Sequence, residues 1–232
     1  MSQRAIFGAA AAALAMIAWQ PASAAAKPQQ VDWRHKVTAT DDFGFRMGNP
    51  DAKIAIVEYG SLTCPHCRHF AETAMKPLLD QYVRTGKASF EFRNFVLNPA
   101  DRAATLVARC GGASRFFPIA EQLYASQPEW SGKVQALSEA EVDRINGLPE
   151  PQQMLTLANL TGMFPVAARH GIGRAKAEAC LKDEAAAAAL TKFEQDSADA
   201  GVPGTPYILV NGKPVAAGDW ETLEPFLKDA GD

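Results

Sequence analysis

The chain of 232 residues is long enough for one large domain, or for a small domain with a substantial insertion. Hydrophobic residues make up 47% and charged residues 21%, which excludes a disordered or collagen-like chain. The net charge is only -3 and no Lys/Arg cluster stands out, so neither a nucleic-acid-binding surface nor a basic membrane-binding patch is predicted. Small molecules or other proteins are the expected partners.

Residues 1–24 predict a secretory signal peptide. A positive charge at Arg4 precedes an apolar stretch over residues 5–19, and small residues end in Ala22-Ser23-Ala24. The alternative is a membrane anchor, but this stretch is shorter than the ~20 apolar residues that a span needs. No later segment of the sequence reaches that length. We therefore expect an exported protein, cleaved after Ala24 or Ala26, without stable membrane insertion.

The folded core is predicted to begin at a turn cluster, Gly48-Asn49-Pro50-Asp51, which closes a polar lead-in at residues 25–47. Residues 54–59 follow as a continuous apolar run rich in β-branched side chains. This pattern is typical of a central strand that is buried on both faces. A second strand is predicted over residues 88–95.

The segment between these two strands predicts a helix over residues 64–84, because its apolar residues recur at helical spacing. Pro77 lies inside this segment, and we expect it to kink the helix. A strand, a helix and a second strand in this order imply a right-handed crossover and two neighbouring parallel strands. The first part of an α/β fold is therefore assigned to residues 48–98.

Strand signals are absent from residues 99–182, where helical patterns alternate with Gly and Pro breakers. This stretch predicts an all-helical insertion. The second part of the α/β fold is assigned to residues 183–232. It begins with an Ala-rich helix (182–200) and continues as a hairpin around Asn211-Gly212, a strong hairpin signal. The hairpin strands are predicted at residues 207–210 and 214–217, and a final helix at 219–228.

Four cysteines are available for pairing in an exported chain. Cys64 and Cys67 are separated by one helical turn, so they form the natural first bridge. That leaves Cys110 and Cys180, either bonded to each other or as two separate buried thiols. A bond between them would close a loop of about seventy residues and contribute roughly 4 kcal/mol to stability in the chain-entropy estimate.

Cys64-Pro65-His66-Cys67 places a thiol at the start of a helix that follows a buried strand. Unpaired backbone N–H groups and the helix dipole favour the thiolate of Cys64, which is therefore the expected nucleophile. Cys67 would act as the resolving thiol. Pro65 suits the first helical turn, and a charged His66 imidazole would stabilise the thiolate further. A stabilised reduced form makes the disulfide form a strong oxidant.

A zinc site and a purely structural bridge are the alternatives to a redox role for Cys64 and Cys67. A zinc site needs a second set of paired ligands, and neither Cys110 nor Cys180 has a close Cys or His partner. A purely structural Cys64–Cys67 bridge would constrain the unfolded chain very little. We therefore predict no metal and no cofactor.

Glu58 is unusual because an acidic side chain lies within an apolar strand. If it is buried without a partner, its ionised form costs several kcal/mol, so partial protonation is expected. The alternative is that Glu58 points to the edge of the strand and is solvated.

The stretch from Val57 to Cys67, the helical insertion and Gly204-Thr205-Pro206 before a strand together resemble the DsbA-like disulfide oxidases of the periplasm. This resemblance implies a thioredoxin-like fold with a large all-helical insertion. It also implies that Cys64 is the exposed attacking cysteine, that Cys67 is the buried one, and that Pro65-His66 is a dipeptide of the oxidase type. Some alphaproteobacterial members resemble this chain in a second disulfide in the helical region, here Cys110–Cys180.

The same resemblance implies that Pro206 is a cis-proline facing the dithiol, and that Thr205 offers main-chain hydrogen bonds to an extended substrate. The alternative is a trans proline that starts a strand. Glu58 would exchange a proton with Cys67. Thr205 departs from the valine of the familiar oxidase and is common in isomerase relatives, although their N-terminal dimerisation domain would not fit in the short lead-in.

The predicted function is donation of the Cys64–Cys67 disulfide to reduced, unfolded exported proteins. The resemblance adds a membrane quinone-linked enzyme as the partner that reoxidises the dithiol, and a monomer is expected. The alternatives are a disulfide isomerase or reductase, and a non-catalytic peptide-binding module of the same fold.

Overall fold

The computed structural model describes residues 31–231, so the predicted signal peptide lies outside the described residues. Its strands are β1 Val37–Ala39, β2 Phe45–Gly48, β3 Ile54–Gly60, β4 Ala88–Asn94, β5 Tyr207–Val210 and β6 Lys213–Val215. They form one mixed sheet in the order β1-β2-β4-β3-β5-β6. Only β3 and β4 are parallel, as the β-α-β pattern predicted, and every other neighbouring pair is antiparallel.

The predicted position of the folded core's start is wrong, because β1 and β2 lie within the supposed lead-in. In β2, Phe45 and Met47 are buried on either side of the half-buried Arg46 and pair with Phe92 and Phe90 of β4. Phe45 also stacks on Phe116, with ring centroids 4.5 Å apart. This burial stabilises a strand too short to stand out in the sequence.

The helix predicted between the first two strands is broken at a different place. It consists of α1 (Pro65–Thr73), α2 (Met75–Leu78) and a π-helical turn at Leu79–Val83. The break falls at Ala74, whereas a kink was expected at Pro77. Proline cannot donate to the carbonyl four residues earlier and its ring clashes there, so the distortion lies one turn before the proline.

The insertion between β4 and β5 is helical, as predicted. Its helices are α3 Pro99–Arg109, α4 Ala113–Ala125, α5 Gln127–Gln135, α6 Glu139–Asn146, α7 Glu150–Thr161, α8 Met163–Arg169 and α9 Arg174–Leu181. Helix α3 lies at the centre of this group and contacts α4, α7, α8 and α9. It is buried along most of its length, and most of its buried residues are alanine, leucine or valine, with Asp101 and Thr105 among them.

The chain returns to the sheet through α10 (Glu184–Asp199) and ends in α11 (Trp220–Gly231). The turn between β5 and β6 is formed by Asn211 and Gly212, both with positive φ, which confirms the hairpin expected there. Its second strand is shorter than predicted. Among residues 31–231, no helix combines the length and apolarity needed to cross a membrane.

Candidate active site

Cys64 lies where the central strand β3 passes into helix α1. The strand ends at Gly60, residues 61–63 form a short loop, and Cys64 is the N-cap of α1 with extended backbone angles. Pro65 follows in the first turn of the helix, where its missing N–H costs nothing. As a neutral thiol, Cys64 makes no capping hydrogen bond, but the backbone N–H groups of His66 and Cys67 at the start of α1 lie near enough to favour its thiolate.

These surroundings lower the pKa of Cys64 to about 5. A hydrogen bond from the Cys67 side chain has the largest effect, and the Thr205 side chain and the backbone N–H groups of Cys67 and His66 add to it. Burial opposes them. Cys64 is only 5% exposed, so the expected exposed cysteine is largely covered in this structure.

His66 is exposed, and its contribution to the thiolate comes from its backbone N–H. From the sequence, the charge of the imidazole was expected to provide this stabilisation instead. The Cys64 thiolate is therefore stabilised by the backbone N–H of residue 66, which depends on its place in the first helical turn and not on its side chain.

Cys67 has the opposite electrostatic environment. It is fully buried, and burial is the largest cause that raises the pKa of its thiol, followed by the hydrogen bond to Cys64 and the charge of Glu58. Both cysteines are free thiols in this structure. The dithiol is therefore asymmetric: one sulfur favours the anion and the other favours the protonated form.

Glu58 points into the protein from β3 and is 3% exposed. Its Oε1 has no hydrogen-bond partner among residues 31–231. Burial, and then the negative charge of Cys64, raise the pKa of this carboxyl to about 8. Gly60 leaves room for it, because a Cβ there would lie 2.9 Å from Oε1 and 2.5 Å from the Phe92 ring.

Thr205 and Pro206 lie against the dithiol just before β5. The Thr205–Pro206 peptide bond is cis, and the Cys64 thiol donates to the Thr205 carbonyl oxygen at 3.4 Å. The Thr205 Oγ1 is buried without a hydrogen-bond partner in the described part of the chain. When Cys64 is a neutral thiol, this hydroxyl forms no hydrogen bond. When Cys64 ionises, the hydroxyl can donate to the thiolate, and this lowers the pKa of Cys64.

The second cysteine pair lies away from this site. Cys110 follows the last residue of α3, Cys180 lies in α9, and the two are bonded with an S–S distance of 2.03 Å. Within residues 31–231, no group of three or more His, Cys, Asp or Glu side chains could hold a metal ion.

Three buried polar side chains of the insertion were not predicted from the sequence. Asp101, Tyr124 and Gln127 come from α3, α4 and α5, and each hydrogen-bonds to the loop before Cys64. The available signal was Asp101, a carboxylate on the buried face of an Ala-rich helix.

Comparison with known proteins agrees with this geometry. A family model described as thioredoxin matches residues 40–229. The crystal structure of a protein-disulfide isomerase from Novosphingobium aromaticivorans is 31% identical, has a TM-score of 0.77, and is matched over 82% of this chain and 97% of that chain. The alpha-DsbA1 of Wolbachia pipientis shares the fold with a TM-score of 0.64 at 19% identity, over 80% of this chain and 89% of that chain.

A curated relative from Rickettsia bellii (strain RML369-C) carries a provisional name as a protein-disulfide oxidoreductase. It is 35% identical over 92 residues, which cover 39% of this chain and 36% of the relative. The matched segment thus spans little more than a third of that protein. The chain belongs to the thioredoxin family.

Proposed function

We propose that this protein is a periplasmic disulfide donor, which passes a Cys64–Cys67 disulfide to reduced exported proteins. The observation that carries this proposal is the opposite electrostatic environment of the two thiols. In thiol–disulfide exchange, the sulfur with the lower pKa is the better leaving group. Cys67 is fully buried, so the substrate thiolate attacks the more accessible Cys64. The lower pKa of Cys64 then makes it a good leaving group when the substrate disulfide is released.

The first step is attack by a substrate thiolate on the Cys64 sulfur of the oxidised protein. The Cys64–Cys67 bond breaks, a mixed disulfide forms on Cys64, and the electron pair of the broken bond goes to Cys67. Since the pKa of Cys67 is raised, its sulfur must take up a proton. Glu58, with a pKa of about 8, remains protonated at neutral pH and supplies this proton.

The second step is attack by another substrate thiolate on the substrate sulfur of the mixed disulfide. The substrate acquires a disulfide, two electrons pass to the protein, and Cys64 departs as a thiolate. A Cys64 pKa of about 5 instead of 9.0 stabilises this reduced form at pH 7 by at most about 3 kcal/mol, because solvent screening weakens the effect. For a two-electron couple this is at most about 60 mV in the oxidising direction.

Turnover requires an oxidant for the resulting dithiol. We assign this role to a membrane quinone-linked enzyme, and delivery to the periplasm to a cleaved signal at residues 1–24. Thr205 and Pro206 would hold the substrate chain in extended form, through the main chain that precedes β5. The protein is expected to work as a monomer.

Disulfide isomerisation is the second candidate. Two observations favour it: threonine precedes the cis-proline, and the relative from Novosphingobium aromaticivorans is named a protein-disulfide isomerase. An isomerase must act in its reduced form, so the position of the redox equilibrium separates the two candidates.

The deciding experiment supplies the oxidised protein, in stoichiometric amount, to a reduced unfolded protein with several cysteines. In parallel, the reduced protein is mixed with the same substrate carrying scrambled disulfides. A disulfide donor forms bonds rapidly in the first reaction and accelerates the second only weakly. Faster rescue of the scrambled substrate than oxidation of the reduced one would favour the isomerase.

A further inference from the structure

The loop before Cys64 is enclosed, although it carries the polar backbone groups of an irregular segment. Ser61 is 1% exposed and Leu62 is fully buried. Backbone N–H and C=O groups at such positions cannot bond to water, and each unpaired group costs free energy comparable to a lost hydrogen bond. Their partners must therefore come from the protein.

Three side chains of the helical insertion are these partners. The Tyr124 hydroxyl donates to the Ser61 carbonyl oxygen at 3.0 Å, and the Leu62 N–H donates to Asp101 Oδ1 at 2.9 Å. Gln127 Nε2 donates to two carbonyl oxygens, those of Leu62 at 2.8 Å and Cys64 at 3.0 Å. All three side chains are buried.

Asp101 acts only as an acceptor of hydrogen bonds through its side chain. Besides the Leu62 N–H, its carboxylate accepts from the Ser61 hydroxyl at 2.5 Å and from the Leu97 N–H at 3.0 Å. It forms no ion pair within residues 31–231. Burial raises the pKa of this carboxyl to about 6, while the surrounding donors favour its charged form.

An asparagine at position 101 could not reproduce this pattern. The carboxylate oxygen that meets both the Ser61 hydroxyl and the Leu97 N–H would become an NH₂ group in one orientation of the amide. The other orientation would direct the NH₂ group at the Leu62 N–H. In each orientation a backbone donor faces a second donor, and that backbone N–H loses its partner.

The hydrogen bonds reach the peptide groups on both sides of the nucleophile. The Cys64 carbonyl accepts from Gln127 and also from the Arg68 N–H, which begins the hydrogen-bond ladder of α1. The Cys64 N–H donates to the same Ser61 carbonyl that Tyr124 binds. The backbone of residues 61–64, which directs the Cys64 side chain toward the N–H groups of α1, is thus held in place by side chains of the insertion.

We propose that Asp101 and Gln127 are positioning residues, which reach from the helical insertion and hold the backbone of residues 61–64 so that the Cys64 sulfur meets its thiolate-stabilising donors. This inference rests on the proposed function, because it concerns the thiolate that departs in the second step. The insertion therefore contributes to the chemistry of the dithiol as well as to the core.

The test compares Asp101→Asn and Gln127→Met with the wild-type protein. Gln127→Met keeps most of the side-chain volume but removes both donated hydrogen bonds. The pKa of Cys64 is measured from thiolate absorbance across pH, and the dithiol is equilibrated with glutathione. Both variants should raise the pKa of Cys64 by about one and make the disulfide about tenfold less oxidising.

Met163→Ala is the matched control. Met163 is fully buried in α8 and gives no hydrogen bond to the loop, so its truncation destabilises the insertion by opening a cavity. This control should lower the urea midpoint and leave the pKa of Cys64 unchanged. If Met163→Ala raises that pKa as much as Gln127→Met does, general destabilisation explains the effect and the proposal is overturned.

Ser61→Ala serves if Asp101→Asn does not fold, because it removes one donor to Asp101 and leaves the carboxylate in place. A smaller rise in the pKa of Cys64 is expected. If the pKa of Cys64 is low in the wild type and stays equally low in Ser61→Ala and Gln127→Met, the positioning role is contradicted but the proposed function is not. An ordinary thiol pKa in the wild-type protein contradicts the proposed function itself, so the two failures are distinguishable.

Discussion

The two cysteine pairs of this molecule differ in separation and surroundings. Cys64 and Cys67 lie within one turn of α1, with hydrogen-bond donors at one sulfur and a desolvated environment at the other. Cys110 and Cys180 are 70 residues apart in sequence, and their bond links the end of α3 to α9. The first pair is free in this structure and the second is bonded.

This contrast separates reactivity from stability. A bridge between Cys64 and Cys67 closes too short a loop to restrict the unfolded chain, so its importance lies in the unequal pKa values of its sulfurs. The Cys110–Cys180 bridge closes a long loop and restricts the unfolded chain strongly. Substitutions at Cys64 and Cys67 should therefore change the redox chemistry, and substitutions at Cys110 and Cys180 should change stability.

The largest effect is expected for Cys64→Ser, which removes the sulfur that bonds to the substrate. Oxidation of a reduced peptide should fall by at least about a thousandfold, because a serine hydroxyl is not ionised near neutral pH and forms no disulfide. The assay follows disulfide formation in a fluorescent dithiol peptide. Retention of full activity would instead favour the non-catalytic peptide-binding module.

Glu58→Gln should change how the stability of the reduced protein depends on pH. The folded pKa of Glu58 is raised from 4.5 to about 8, so its stabilising contribution is complete below pH 4.5 and is lost as pH rises through 8. The variant lacks this loss. From pH 4.5 to pH 8, the free energy of unfolding of Glu58→Gln should therefore rise relative to that of the wild type by up to about 5 kcal/mol.

Urea denaturation of both reduced proteins at a series of pH values measures this difference. The exposed Glu129 on α5 provides the matched control as Glu129→Gln, because it makes the same chemical change at an exposed position. A constant difference between Glu58→Gln and the wild type from pH 4.5 to 8 would show that Glu58 ionises normally.

Replacement of both Cys110 and Cys180 by alanine should affect stability and leave the redox chemistry in place. Loss of a bridge that closes a loop of this length should lower the free energy of unfolding by about 4 kcal/mol. Urea denaturation measures the loss. Below the new melting temperature, the glutathione equilibrium of the Cys64–Cys67 pair should match the wild type, and a large change would mean that the two pairs are coupled.

The smallest effect is expected for Ser138→Ala at the start of α6. Ser138 and Glu141 form a capping box, with the serine side chain accepting from the Glu141 N–H. Its loss should cost about 1 kcal/mol and leave the pKa of Cys64 unaltered. A shift in that pKa would show that any disturbance of the insertion reaches the dithiol.

Local sequence patterns were sufficient for the parts of the fold that local interactions determine. β3 was recognisable as a β-branched run, the start of α1 as Cys64-Pro65, and the β5–β6 turn as Asn211-Gly212. The short strands β1 and β2 were missed because β2 is stabilised by pairing with β4, more than forty residues away in sequence, and β1 pairs with β2.

The same limit applies to the candidate site. The dithiol, Glu58 and Thr205-Pro206 were identified from their residue types and family resemblance. Asp101 and Gln127 both hydrogen-bond to Leu62, which lies 39 and 65 positions before them in the sequence. No local sequence pattern connects residues so far apart. Buried polar side chains that serve a distant loop become visible only when the tertiary structure places both partners together.

The surroundings of Cys64 stabilise its thiolate, whereas those of Cys67 oppose ionisation. The most direct measurement is thiolate absorbance of the reduced protein from pH 3 to pH 10, with Cys64→Ser and Cys67→Ser as references. We predict one transition at a pKa of about 5 that disappears in Cys64→Ser. A transition only near the ordinary thiol value, or one that survives in Cys64→Ser, would contradict the account.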